Sequence, residues 1–319
     1  MKNVVLKIGG GILRHKECFE RVVEVIKEKQ KSHDGVIVVL SALYGVTDYL
    51  VNTTKKSFSS DKDIMEIIEH IEKMHFDYID LLSNKEVIEN AKFILKDKVS
   101  LLEKFLYGIH YLKEVSPRSK DLIQSYGEKL SPVVLEAFLK NANLEVLSLD
   151  SESTGIICKG PFENALVDLE KTKNNLSQSV FPYLGKKVIL LTGYYGIDDA
   201  GDVKTFGRGG TDYSAGFIAN LFDAELEIWK DVSGFMSADP KIVPTAKQIP
   251  LLSYEEAEEL GYLGAKILHP KTIAPLREKN LSAEIKNLFA PEVKGTIISS
   301  QKGKHLEVVK SIAATKEIG

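Results

Sequence analysis

Short apolar runs alternate along this 319-residue chain with longer stretches in which apolar residues recur every three or four positions. Residues 3–6, NVVL, are mostly apolar with two β-branched valines and little alternation, which predicts a buried strand. It ends at Lys7 and a run of three glycines, Gly9, Gly10 and Gly11. Residues 18–28 place Phe19, Val22, Val23, Val25 and Ile26 along one helical face, and 35–40 read as a second buried strand. Strand, helix and strand in succession form a βαβ unit, which calls for a parallel sheet.

Residues 48–139 carry mostly helical patterning. Ile64, Ile67, Ile68, Ile71 and Met74 form one apolar face within 61–74, with charge opposite. The histidines there (His70, His75, His110) have no partner at metal-ligand spacing and read as packed or solvated. The run 125–131, SYGEKLS, predicts that Glu128 opens a helix continuing PVVLEAFLK. A carboxylate so placed either satisfies the helix dipole or receives an ammonium group. Further strands are predicted at 144–149, 187–191, 225–229, 283–287 and 296–299, with helices at 215–222 and 253–260. Ser253 and Glu256 have the spacing of a capping box. A soft lobe boundary falls near 190–205, dividing the chain into 1–190 and 191–319.

The composition is that of an ordinary soluble protein: 44% hydrophobic, 27% charged and a net charge of −3. No global basic field points to nucleic acid. Two distant cysteines, Cys18 and Cys158, form no CxxC pattern and argue against a disulfide framework or a zinc site. No apolar run approaches the ~18 residues that span a bilayer, and the N-terminus lacks a signal-peptide core. The expected location is the cytoplasm.

The chemistry concentrates in VKTFGRGGTDYSAGF, residues 203–217. Gly207, Gly209 and Gly210 let successive N–H groups face one concavity. Thr211, Asp212 and Ser214 stand where they could cap the helix that follows, and Arg208 offers a fork for carboxylate or phosphate. The plainer alternative is a glycine loop with a solvated arginine. Lys7 and Lys266 in far-separated loops, glycine turns and Asp212 together suit phosphoryl transfer, which asks mainly for positioning and positive charge. The P-loop, the dinucleotide fingerprint and the protein-kinase motifs are all absent.

Several ordered motifs resemble the catalytic domain of aspartate kinases, in the amino-acid kinase family. They are SALYGVT, SYGEKLS, TFGRGGTDYSA, IWKDVSGFMSADPKIVP, GAKILHPKT and NLFAPEVKGTIIS. The resemblance runs from Lys7 to about Ser299. It implies a three-layer α/β/α sandwich with a mainly parallel sheet, an acceptor-binding lobe at 1–190 and an ATP-binding lobe at 191–319. The implied reaction is phosphorylation of the L-aspartate side-chain carboxylate by ATP, with Mg²⁺ carried on the phosphates. Lys7 would contact the transferring phosphoryl group and Asp212 would orient Lys7. Lys266 would act from the nucleotide side. Glu128 would hold the substrate ammonium and Arg208 a carboxylate, while Ser41, Thr47 and Thr211 line the acceptor pocket. Gly9, Gly10 and Gly209 would bring N–H groups to phosphate. Asp231, Gly234, Asp239, Pro240 and Lys241 would belong to the ATP site. Lys230 stands where the family usually has threonine; it either meets phosphate or is solvated, the second being slightly favoured.

KIGGGI departs from the family's KFGGTS, with Gly11 and Ile12 where hydroxyls are usual. This leaves open another acceptor, such as homoserine, or a subunit that senses amino acid or nucleotide without turnover. The ACT domains that many aspartate kinases carry are not expected within these residues. Regulation would then be missing by that route or come from a separate ACT-containing subunit. A homodimer is expected from the resemblance alone.

Overall fold

The computed structural model describes residues 2–55, 60–262, 267–301 and 311–312. Its strands are β1 (Asn3–Ile8), β2 (Gly35–Leu40), β3 (Val146–Leu149), β4 (Cys158–Lys159), β5 (Leu166–Val167), β6 (Val188–Thr192), β7 (Tyr195–Ile197), β8 (Val203–Thr205), β9 (Glu225–Lys230), β10 (Leu251–Ser253), β11 (Ala283–Asn287) and β12 (Thr296–Ser299). The helices are α1 (Lys16–Ser32), α2 (Val46–Lys55), α3 (Asp61–Ile79), α4 (Lys85–Leu112), α5 (Pro117–Asn141), α6 (Ser151–Thr154), α7 (Leu169–Ser179), α8 (Gly210–Phe222), α9 (Tyr254–Tyr262) and α10 (Ile273–Glu278).

The main sheet has the order β10-β12-β11-β9-β1-β2-β6-β3. From β11 to β3 every neighbouring pair is parallel; β12 runs antiparallel to β11 and β10 parallel to β12. Side chains alternate across the sheet, so each strand feeds two cores. Val4, Leu6, Ile8, Val36, Val38 and Leu40 pack on one face with α1, α3, α4 and α5. Val5, Ile37, Val39, Ile189, Leu226 and Ile228 pack on the other with α7, α8, α9 and α10. The expected three-layer α/β/α sandwich is what forms.

The chain leaves β1 for β2 on one side, whereas β9 lies on the other. The connections diverge there and open a crevice over the carboxyl ends of β1 and β9. Two helices differ from the sequence reading. Glu128 does not open a helix; α5 begins at Pro117, and Ser116 caps it by accepting the Ser119 N–H at 3.2 Å. Pro132 lies inside α5 and removes the N–H that would have met the Glu128 carbonyl. Likewise α8 begins at Gly210 rather than at 215, because glycine in a left-handed conformation turns the chain directly into the helix.

Leu6 is fully buried in the middle of the sheet. Leu6→Ala should lower unfolding free energy by about 3 kcal/mol in a urea titration.

Candidate active site

Strand alternation decides which side chains meet in the crevice. Lys7 shares a face with Val5, and Lys230 shares the same face with Leu226 and Ile228, so both ammonium groups turn towards α8. Asp212, in the first turn of α8, receives both. Its carboxylate lies 2.6 Å from Lys7 Nζ and 3.7 Å from Lys230 Nζ. The Lys7 and Asp212 side chains are only 8% and 9% exposed, so water screens this pair little. Burial pushes the Asp212 carboxyl upward, but Lys230, Lys7 and His269 outweigh it and hold it below the ordinary range. Burial pulls the Lys230 ammonium down, with Lys7 adding to it, while Asp212 and Asp231 act in the opposite direction. Lys230 is therefore an inward-facing cation. The solvated reading of it was wrong because residue type alone does not reveal strand parity.

The N-terminus of α8 is built for close approach. Gly209 is its N-cap with φ 73°, and no side chain caps it. A Cβ at Gly209 would collide with the His269 ring, and one at Gly210 would stand 2.9 Å from the Tyr194 ring. Thr211, Asp212 and Ser214 thus belong to the first turns instead of preceding them, and the capping role read for them does not form. Ser214 instead accepts the N–H of Tyr194 at 3.0 Å. The initial N–H groups of α8 have no side-chain acceptor at the cap, which leaves the positive helix end open to an anion.

Glu128 reaches the same crevice from the opposite layer. It is 2% exposed, and its Oε1 accepts from Ser41 and Thr211 hydroxyls, both long at 3.4 Å. Its Oε2 has no hydrogen-bond partner. Burial pushes the carboxyl up to about 8, against the downward pull of the Ala42 N–H and the two hydroxyls. A buried carboxyl with a free oxygen is a strong acceptor for a cationic donor. Thr47, at the start of α2, stands one turn away, its hydroxyl 3.4 Å from where a Cβ on Gly127 would be.

The remaining candidates are placed as follows. Gly9 and Gly10 follow β1; a Cβ at Gly9 would come 3.2 Å from Lys7 Nζ, and one at Gly10 would meet the Ala42 carbonyl at 2.5 Å. Arg208 is exposed on the glycine turn. Asp231, Asp239, Pro240 and Lys241 are exposed in the loop after β9, where Asp239 accepts the Lys241 N–H at 2.9 Å. Gly234 has φ 137°, and its place against Thr296 leaves no room for a side chain. Lys266 lies outside the described residues. Of the histidines, His75 is buried, with Nδ1 2.7 Å from the Ile71 carbonyl, and burial pushes it down to about 4.

Sequence reasoning missed two buried polar residues on α5. Asp121 accepts N–H groups from Glu163 and Thr205, each at 2.8 Å, and the Thr205 hydroxyl at 2.9 Å. Gln124 accepts the Tyr194 hydroxyl at 2.8 Å. A signal existed: Asp121, Gln124 and Glu128 have i, i+3, i+7 spacing, one face of a helix.

The chain resembles known proteins in sequence and in fold. The bifunctional aspartokinase/homoserine dehydrogenase of Buchnera aphidicola is 30% identical over 98% of this chain, which spans 38% of that protein. The chloroplastic aspartokinase 3 of Arabidopsis thaliana is also 30% identical over 98% of the chain, which spans 56% of its length. This chain thus covers about half, or less, of such relatives. The crystal structure of E. coli aspartokinase III in complex with aspartate and ADP superposes with a TM-score of 0.85 at 24% identity. That match covers 95% of this chain and 66% of the other, and at that identity it shows the fold. Residues 2–287 match the model of the amino acid kinase family, and the chain belongs to that family.

Proposed function

We propose that this chain is an aspartate kinase, transferring the terminal phosphoryl group of ATP to the side-chain carboxylate of L-aspartate. The observation that carries the reading is the Lys7–Asp212–Lys230 cluster, set at the topological switch point beside the open N-terminus of α8. Two ammonium groups against one carboxylate leave a net positive charge where a phosphoryl group would migrate, in a site that excludes much of the water. Aspartokinase relatives match nearly the whole chain, and one neighbouring structure holds aspartate with ADP.

In this reading Lys7 and Lys230 stabilise the charge on the transferring group, with Lys266 acting from the nucleotide side. Asp212 keeps the two cations in register. Glu128 receives the aspartate ammonium at its free oxygen, and Arg208 takes a carboxylate. Ser41, Thr47 and Thr211 line the acceptor pocket, and Gly9, Gly10 and Gly209 bring N–H groups to phosphate. The nucleophile is a carboxylate, already ionised at neutral pH, so no strong general base is required. Residues 1–190 supply most of the acceptor pocket and 191–319 most of the nucleotide site, including Asp231, Gly234, Asp239, Pro240 and Lys241. Mg²⁺ fits as an ion bound chiefly by phosphate oxygens and water, since Asp212 is already shared between two lysines. It would neutralise phosphate charge. No described helix is long and apolar enough to cross a membrane. We further infer a cytoplasmic homodimer.

An ATP–Mg²⁺ assay with hydroxylamine tests the acceptor, because an acyl phosphate is trapped as hydroxamate and a phosphate ester is not. Hydroxamate should form with aspartate and not with glutamate or homoserine. ADP release with homoserine and no hydroxamate would overturn the substrate. Arg208→Ala should raise KM for aspartate by roughly tenfold or more and leave KM for ATP nearly unchanged; equal effects on both would remove Arg208 from the acceptor pocket.

Glu128 supplies a pH test that needs no turnover. Its folded pKa of about 8 lies above the ordinary glutamate value, so the folded protein holds a proton that the unfolded chain gives up. That contribution is fully present below pH ~4.5 and is lost as pH rises towards 8, by an amount of the order of 5 kcal/mol. Glu128→Gln should therefore flatten the fall in stability across this window, and at pH 8 aspartate should raise Tm more in the wild type than in the variant. Parallel stability curves would show that Glu128 is not buried neutral.

A further inference from the structure

Asp121, Gln124 and Glu128 lie on one stripe of α5, two helical turns from first to last, with exposures of 0%, 5% and 2%. A run of buried polar groups on one helix is costly unless each is fastened to something. Here each is fastened to a different segment at the mouth of the sheet. Glu128 meets Thr211 and Ser41, and Gln124 takes the hydroxyl of Tyr194. Tyr194 has φ 74°, a strained conformation for a side-chain-bearing residue that its surroundings must hold in place. Asp121 takes both donors of Thr205, the last residue of β8, and the N–H of Glu163.

Thr205 is followed directly by Phe206, Gly207 and Arg208. The turn is tied at several points near this anchor. The Phe206 N–H donates to the Tyr194 carbonyl at 2.8 Å, and Lys271 Nζ donates to the Phe206 carbonyl at 3.1 Å. Gly207 is left-handed with φ 74°, and a Cβ there would collide with the Glu163 carbonyl. Asp121 therefore ties together the two segments, at Glu163 and at Thr205, whose close approach Gly207 permits. The side chain is a buried carboxylate with three donors and no cationic partner among the described contacts.

We propose that Asp121 is a positioning residue: it fixes the distance between the glycine turn carrying Arg208 and Glu128 on its own helix. Both ends of the acceptor pocket then refer to one rigid ruler, α5. The proposal rests on the aspartate kinase reading only for the identity of the acceptor. The mechanical part, a turn held by one buried carboxylate, stands on the geometry.

The test is Asp121→Asn, which keeps the shape but removes the negative charge that strengthens all three hydrogen bonds and leaves one acceptor oxygen for the two N–H groups, with the NH₂ turned to the Thr205 hydroxyl. Thr205→Val is a milder second variant that removes a single hydroxyl donor and should fold in any event. Amide hydrogen exchange over 203–211 should speed up about tenfold in Asp121→Asn and less in Thr205→Val, while 130–139 of α5 stays as in the wild type. KM for aspartate should rise about tenfold in Asp121→Asn, about threefold in Thr205→Val, with KM for ATP within about twofold of the wild type in both. A merely structural carboxylate would lower Tm and the active fraction and leave both KM values in place. That outcome, unchanged exchange at the turn, or KM values that move together would overturn the proposal. If the wild type does not turn over aspartate, the functional reading fails, and the exchange comparison alone decides Asp121: a loosened turn supports the proposal and an unaltered one overturns it.

Discussion

Two lysines share one buried carboxylate at the centre of this molecule, and most of the architecture follows from keeping them there. Each charge removed from water carries a desolvation penalty of several kcal/mol, which only close pairing offsets. Asp212 answers Lys7 at 2.6 Å and Lys230 at 3.7 Å, and the unequal distances leave Lys230 the less satisfied cation. An incoming polyanion would complete the pairing. On the proposed reading, the phosphates of the nucleotide would be that polyanion.

That arrangement constrains the chain on every side. Lys7 and Lys230 must point the same way from adjacent parallel strands, so β1 and β9 are locked in register, with Lys7 opposite Ile228. Helix α8 must start without a bulky cap, so Gly209 turns left-handed under His269. All thirteen residues of α8 are buried, which seats Asp212 rigidly against β1. On the other face, α5 must cross the sheet edge closely enough for Glu128 to touch Thr211. Gly127 makes that possible, since a Cβ there would come 2.8 Å from Ala42.

Much of this was legible in the chain itself. The strands at 35–40, 283–287 and 296–299 form at the bounds their apolar patterning predicts. The Ser253–Glu256 capping box closes in both directions, at 2.8 and 3.3 Å. Lys7, Asp212, Glu128, Ser41 and Thr211, drawn from four distant segments, do converge. What stayed hidden depends on parity and context. Lys230 looked solvated because a lysine at a strand end shows its face only when the register is known. Glu128 looked like a helix start because a carboxylate suits the positive end of a helix, whereas α5 already begins at Pro117 and runs through Pro132. Asp121 and Gln124 carried a periodic signal, but their partners are backbone N–H groups and a tyrosine hydroxyl far away in sequence, and no local rule brings those together.

The central claim is that Lys7 and Asp212 act as one unit. A double-mutant cycle on kcat, combining Lys7→Met with Asp212→Asn, tests it most directly. If the unit is real, either single change lowers kcat by about a hundredfold or more, and the double variant is hardly worse than the more damaged single one. Losses that simply multiply would mean that the two residues contribute independently, and the buried pair would lose its place as the organising interaction.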